Sequence, residues 1–124
     1  MKVLLSIKPE YAEKILSGEK KYEFRRTMFK NPTIKKVVIY ASSPIQKVIG
    51  EFDIDCVLSL RLEELWNETH QHSGIEKGFY DQYFEGKDVG HAIKVKKVKR
   101  YKSSQDLKHY NIKYPPQSFM YLGV

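Results

Sequence analysis

Two apolar runs separated by one short turn place the tightest limit on how this chain can fold. "KKVVIYA", from Lys35, is a continuous, β-branched apolar run. "KVIGEFDIDCVLSL", from Lys47, sets Phe52, Ile54 and Cys56 in alternation with Glu51, Asp53 and Asp55. Alternation with a period of two belongs to a strand, because successive side chains leave opposite faces of an extended backbone. An extended backbone must also pair its N–H and C=O groups, so these runs require a sheet. Gly50, inside the second run, marks a bulge or a close approach of another backbone.

The flanking sequence supplies the other elements. "KVLLSIK" is a strand stopped by Pro9, which suits the first turn of a helix. That helix carries Glu10 at its positive end, presents Tyr11, Ala12, Ile15 and Leu16 at helical spacing, and ends at Gly18. "KKYEFRR" reads as a strand with Tyr22 and Phe24 on its apolar face. "LEELWNETH" puts Leu62, Leu65, Trp66 and Thr69 on one helical face, with Trp66 as a core anchor. Ser73 and Glu76 have the spacing of a capping box that opens a helix bearing Ile75, Phe79 and Tyr83, closed at Gly86. "VGHAIKVKKVKRY" is a strand with Ile93, Val95 and Val98 facing in and Lys94, Lys96 and Lys97 facing out, the doubled lysine hinting at a bulge. "YPPQS" is a stiff turn leading into a last strand, "FMYLGV". Strands outnumber helices, and their connections are too mixed for a regular βαβ succession. The expected fold is α+β: a small, mostly antiparallel β-barrel with helices packed at its ends, formed as one domain by residues 1–124.

Charge and cysteine usage narrow the function. Lysine and arginine outnumber the acids 22 to 15, a net charge of +7 that favours anionic partners, nucleic acid first. The lone cysteine, Cys56, rules out a disulfide framework and is expected to be a buried thiol in a reducing compartment. With no signal peptide and no apolar stretch long enough to span a bilayer, the sequence reads as cytoplasmic and without a membrane partner. Of the four histidines only His70 and His72 are close, and positions i and i+2 diverge on a helix, so no metal site and no cofactor are expected.

The chemistry concentrates in "GEKKYEFRR", residues 18–26. Strand parity groups Lys21, Glu23 and Arg25 on one face and Lys20, Tyr22 and Phe24 on the other. On an exposed strand the opposite charges would form pairs worth about 0–1 kcal/mol each. In a cleft they would hold a ligand.

Gly18-Glu19-Lys20-Lys21-Tyr22-Glu23-Phe24-Arg25 matches the pattern GxKxxExR. With the "LSIKPEYAEKILSGEKKYEFRR" opening, the "VVIYASSPIQKVIGEF" middle, the "ELW" helix and the "PPQSF" close, the chain resembles a small stand-alone ASCH protein of the PUA-like superfamily from end to end. The resemblance implies a β-barrel whose cleft, lined by Lys20, Glu23 and Arg25, binds RNA or a nucleotide-like ligand, with a regulatory role in transcription or RNA metabolism. The motif puts weight on Lys20, where parity favours Lys21, and both stay candidates. Lys20 and Arg25 can hold phosphate or carbonyl oxygens while Glu23 accepts from the amino edge of a base. A base can stack on Tyr22 or Tyr40, which otherwise serve as core residues with hydroxyls at the rim. Ser42 and Ser43, at the end of an apolar strand, offer hydroxyl and N–H groups to a cleft or simply form a Ser-Pro turn.

Three functional readings follow. Binding is the first. Hydrolysis is the second, with Lys20 and Glu23 as the catalytic residues. Small amidohydrolases of acylated cytidine in the same superfamily have threonine where Glu23 stands, whereas ribonuclease chemistry needs a base and a cation near a 2′-hydroxyl, which Glu23 and Lys20 supply. The third is a protein-interaction module presenting Phe79, Tyr80 and Phe84. The strip Lys94, Lys96, Lys97, Lys99, Arg100 and Lys102 serves either as a track for a nucleic-acid backbone or as protection of a sheet edge.

Overall fold

A computed structural model describes residues 1–123. In chain order the elements are β1 (Lys2–Ile7), α1 (Pro9–Ser17), β2 (Tyr22–Arg25), β3 (Lys36–Ala41), β4 (Lys47–Arg61), α2 (Leu62–Thr69), α3 (Lys77–Tyr83), β5 (Val89–Gln105) and β6 (Phe119–Leu122), with 3-10 turns at His70–His72 and Leu107–Tyr110. The strands form one sheet in the order β2-β5-β4-β3-β1-β6. β1 and β3 run parallel, Val3 opposite Val37 and Ile7 opposite Ala41, while every other neighbouring pair is antiparallel.

The fold is α+β with a mostly antiparallel sheet, but the sheet does not close into the expected barrel. β2 and β6 are its two edges, and among the described residues no ladder joins them. Each is four residues long and is paired on one side only. The gap between them is crossed by side chains instead: the Arg25 guanidinium donates to the Ser118 hydroxyl, just before β6.

Packing explains the two apolar runs. One face of the sheet carries Val3, Leu5, Val37, Ile39, Phe52 and Ile93 against Ala12, Ile15 and Leu16 of α1. The other carries Leu4, Val38, Tyr40 and Val48, covered by Ile112 and by Leu107 and Tyr110 of the second 3-10 turn. β3 is therefore buried on both faces, which is why its sequence is continuously apolar rather than alternating. A Cβ on Gly50 would lie 2.7 Å from the Lys99 carbonyl oxygen of β5 and 2.9 Å from Leu16 Cδ2 of α1, and the ladder shifts register between Val48 and Gly50, so the position is both an irregularity of the strand and a close approach. A third cluster gathers Phe24, Ala92, Leu65, Tyr80 and Phe84 where α2 and α3 pack on β2 and β5. Each large apolar side chain fully buried in these clusters contributes about 1.5–3 kcal/mol.

Four expectations are corrected. Cys56 is exposed, not buried. The ladder between β4 and β5 shifts register on both sides of Ile54, which leaves Cys56 opposite Lys94 and turns it away from the face of Phe52. Ser73 and Glu76 form no capping box: α3 starts at Lys77, and the Ser73 hydroxyl instead lies 3.1 Å and 3.0 Å from the carbonyl oxygens of His70 and Ile75. Tyr80 and Phe84 are fully buried, because α3 turns them onto the sheet, so they offer no protein-binding surface. Val98 sits opposite Phe52 yet remains exposed at the margin of the core. Among the described residues no helix is long and apolar enough to cross a membrane.

Candidate functional site

A cavity of about 630 Å³ opens in the gap between the two sheet edges. The parallel strands β1 and β3 both end at it, bringing Ser6, Ile7 and Lys8 from one and Tyr40, Ser42 and Ser43 from the other. β2 adds Glu23, Phe24 and Arg25. α1 adds Tyr11, the α3 side adds Ile75, Phe79 and Tyr83, and the segment before β6 adds Pro115, Pro116 and Gln117. Because β2 is the terminal strand, side chains from both of its faces reach this space.

Lys20 is the most constrained polar residue of the site. It precedes β2, so strand parity does not govern it, and the turn after α1 sends its side chain inward until only 2% of the residue is exposed. Its ammonium donates to the Ser73 carbonyl oxygen at 2.6 Å and lies 4.8 Å from the centre of the Phe24 ring and 5.5 Å from that of Tyr11. Aromatic faces and one neutral carbonyl replace water poorly for a cation. Burial accordingly pushes the Lys20 ammonium down to about 8, Glu23 opposing the shift and Lys14 adding to it.

The loop after α2 fixes Lys20 from behind. Lys21 donates its backbone N–H to the His72 carbonyl at 2.9 Å, and Lys14 reaches the Gly74 carbonyl at 3.1 Å. Gly74 has φ +70°, and a Cβ there would meet Cβ and Cγ of Lys20 at 2.7 Å. Glycine at 74 is thus required twice, by the left-handed backbone and by the lysine stem packed on it.

Glu23 and Arg25 form a buried pair, Nη1 of Arg25 lying 3.3 Å from Oε2 of Glu23. Burial raises the pKa of the Glu23 carboxyl, with Arg25 and then Lys20 pulling the other way. Removing one partner of such a pair costs about 3–5 kcal/mol, since it leaves the other charge buried alone. The second end of the guanidinium reaches Ser118, so Arg25 ties β2 both to the carboxylate and to the opposite edge.

The walls are largely aromatic. Tyr11 and Phe79 meet at 5.4 Å between ring centres, Phe79 and Tyr83 run nearly parallel at 6.3 Å, and the Lys8 ammonium lies 5.6 Å from the Phe79 ring centre. The Tyr83 hydroxyl donates to the Phe24 carbonyl at 3.1 Å, and burial raises its pKa. Aromatic rings, two cations and a carboxylate around one cavity suit a planar heterocycle carrying an anionic group.

The structure brings Lys20, Glu23, Arg25, Tyr40, Ser42 and Ser43 together around this cavity. Lys21 and Tyr22 stand outside it: Lys21 is exposed, and Tyr22 packs half-buried beside Phe24 and Leu65. Between the two lysines, the one pointing inward is Lys20. Sequence reasoning did not name Gln46, Gly74 or Gln117; it placed Tyr11 only on the apolar face of the first helix, offered Phe79 as a protein-binding residue, and read Ile75, Phe79 and Tyr83 as a helical series. Their spacing of four residues was visible, but nothing in it distinguishes a face turned to a cavity from one turned to a core.

An α+β fold whose open sheet leads into an aromatic-walled cleft with two buried cations and a carboxylate defines the class of protein. The chain belongs to the ASCH domain family, whose model matches residues 5–108. It is 30% identical over 90 residues to an ASCH domain-containing ribonuclease of Zymomonas mobilis, covering 73% of this chain and 61% of that protein. It is also 36% identical over 121 residues to a protein of Ureaplasma parvum named large ribosomal subunit protein uL22, and 32% identical over 121 residues to one named ATP synthase subunit alpha. The chain spans only 39% and 15% of the lengths of those two relatives. The crystal structure of ASCH from Zymomonas mobilis superposes with a TM-score of 0.89 at 27% identity, over 98% of this chain and 87% of that one. A serine-to-alanine variant of the same protein gives 0.90 at 25% identity, over 98% and 88%.

Proposed function

We propose that the cleft binds single-stranded RNA or a nucleotide-like ligand by receiving one base between its aromatic walls. The observation that carries this reading is the inward-pointing Lys20 ammonium, buried against two rings beside Arg25 and Glu23, with a single backbone carbonyl as its hydrogen-bond acceptor. An anionic oxygen arriving at Lys20 and Arg25 adds to the one counter-charge, that of Glu23, which the two cations share, and a carbonyl oxygen gives the ammonium a second acceptor. Glu23 accepts from the amino edge of the base, and the Gln46 and Gln117 amides at the mouth offer both donors and acceptors to its other edges. In a titration with short RNA oligomers, wild-type affinity falls as salt rises, and Lys20→Met and Arg25→Ala each weaken it at least tenfold. Unchanged affinity in both variants, with the fold intact, would refute the proposal.

Strand cleavage at the same cleft is a second reading, favoured by the relative named as a ribonuclease. Here Glu23, whose carboxyl is raised by burial, takes the 2′-hydroxyl proton. The 2′-oxygen attacks the adjacent phosphorus, Arg25 offsets the charge of the pentacoordinate phosphorus, and Lys20 gives a proton to the departing 5′-oxygen. The products would be a 2′,3′-cyclic phosphate and a 5′-hydroxyl. Glu23→Gln should bind RNA but leave it whole, and equal turnover by that variant would remove Glu23 from the chemistry.

A further inference from the structure

The segment before β6 is built to do more than close one side of the cavity. Pro115, Pro116 and Gln117 line it, and the run is pinned from behind: the Ser6 hydroxyl donates to the Pro116 carbonyl at 2.7 Å, the Ser6 N–H lies 3.3 Å from the Ser118 carbonyl, and Arg25 holds the Ser118 hydroxyl. Tyr114 stands immediately before this pinned run, where the two following prolines restrict its backbone. It is 71% exposed, more than any other large apolar or aromatic side chain among the described residues. The Lys113 ammonium lies 5.6 Å from the centre of its ring. The neighbouring rim loop, which contributes Ser42, Ser43 and Gln46 to the cavity, exposes Ile45 at 47%. A protein that leaves a large ring open to water next to a braced segment, with a cation over one face, has the parts of a stacking platform: the opposite π-face for a base and a positive charge for the phosphate next to it.

We propose that Tyr114 and Lys113 form a second subsite, in which the nucleotide adjacent to the one in the cavity stacks on the Tyr114 ring and sets its phosphate against Lys113. This rests on the reading of the cavity as a base-binding site and extends it from one nucleotide to two. The prolines and the Ser6 hydrogen bonds fix the backbone that follows the ring before the ligand arrives, so stacking has chiefly the tyrosine side chain to order. The subsite reads length rather than sequence, because every base has a face to stack. It predicts that affinity steps up between a mononucleotide and a dinucleotide.

The test compares a ribonucleoside monophosphate, a dinucleotide and a six-nucleotide single-stranded RNA against wild type, Tyr114→Ala, Tyr114→Trp and Lys113→Ala. In Tyr114→Ala the dinucleotide and the hexamer are expected to bind about tenfold more weakly, with monophosphate binding unchanged, and Tyr114→Trp retains the full step. Lys113→Ala lowers the salt dependence of dinucleotide binding and leaves that of the monophosphate alone. If Tyr114→Ala binds all three ligands as wild type does, the second subsite is overturned while the cavity reading stands. If wild type binds none of them, both fall. Tyr114 is exposed and outside every core cluster, so the alanine variant folds and the comparison is clean.

Discussion

Replacing Gly74 by alanine perturbs the site from behind, through the stem of Lys20 and without replacing any side chain that lines the cavity. Two costs follow from the geometry. The residue sits at φ +70°, where an L side chain is disfavoured by about 1–2 kcal/mol. The new methyl group would also lie 2.7 Å from Cβ and Cγ of Lys20, whereas ordinary contact begins at 3.4 Å. Overpacking of that kind costs about 1–3 kcal/mol as the neighbours give way. The sum is a loss of about 2–5 kcal/mol in folding stability, read as a lower urea midpoint at unchanged slope. Relief requires either the 70–76 loop or the lysine stem to move, and each separates the Lys20 ammonium from the Ser73 carbonyl. RNA affinity should therefore fall by about as much as in Lys20→Met, although every cavity-lining side chain is intact. A variant within about 0.5 kcal/mol of wild type in stability, with undiminished affinity, would show that the loop does not hold the lysine.

The pH response of Lys20 separates its possible duties. With the folded-state ammonium at about 8 and a free lysine near 10.5, the unfolded chain carries a proton between those values that the folded chain has shed, so stability rises with pH across that window. Lys20→Met should abolish the rise. The tyrosines with raised pKa values, among them Tyr11 and Tyr83, push the opposite way from about pH 10, and they are common to both proteins. Ligand affinity that depends on the ammonium should decline as pH passes about 8, and an affinity flat from pH 7 to 9.5 would exclude that charge from binding. Cys56 offers a simpler check on the register of β4: in the native protein a thiol reagent should modify it at a rate close to that of the unfolded chain, and strong protection would contradict its exposure.

How much of this was legible in the sequence depended on which interactions were local. The helix from Pro9 to Gly18, the strand at "VVIYA" and the bulge at the doubled lysine are all encoded within a few residues of themselves, and each appears where its pattern put it. Cys56 was misjudged because a register shift near Ile54, set by pairing with β5, inverted the alternation on which its burial was inferred. Ser73 was misjudged because its hydroxyl is engaged with the His70 and Ile75 carbonyls inside the loop, and α3 starts only at Lys77. Closure of the sheet was not legible locally, since whether β2 pairs with β6 is decided by strand lengths and curvature that no local pattern records. Lys20, Glu23 and Arg25 could be named as candidates from their motif, but the aromatic walls of the cleft come from Tyr11 on the preceding helix and from Phe79 and Tyr83, more than fifty residues further along the chain.

The terminal position of β2 has a consequence for how such a site is written in sequence. In an interior strand only every second residue can serve a given space, so a ligand's contacts would be scattered as alternate letters over a longer stretch and mixed with core residues. Along this border strand, Glu23, Phe24 and Arg25 line the same cavity consecutively. With Lys20 delivered by the turn before them, the acid, the ring and both cations fit into six successive residues. The short unbroken signature by which the chain is recognised is thus a geometric property of the rim of the sheet, and moving the same chemistry one strand inward would erase the signature while keeping every one of its residues.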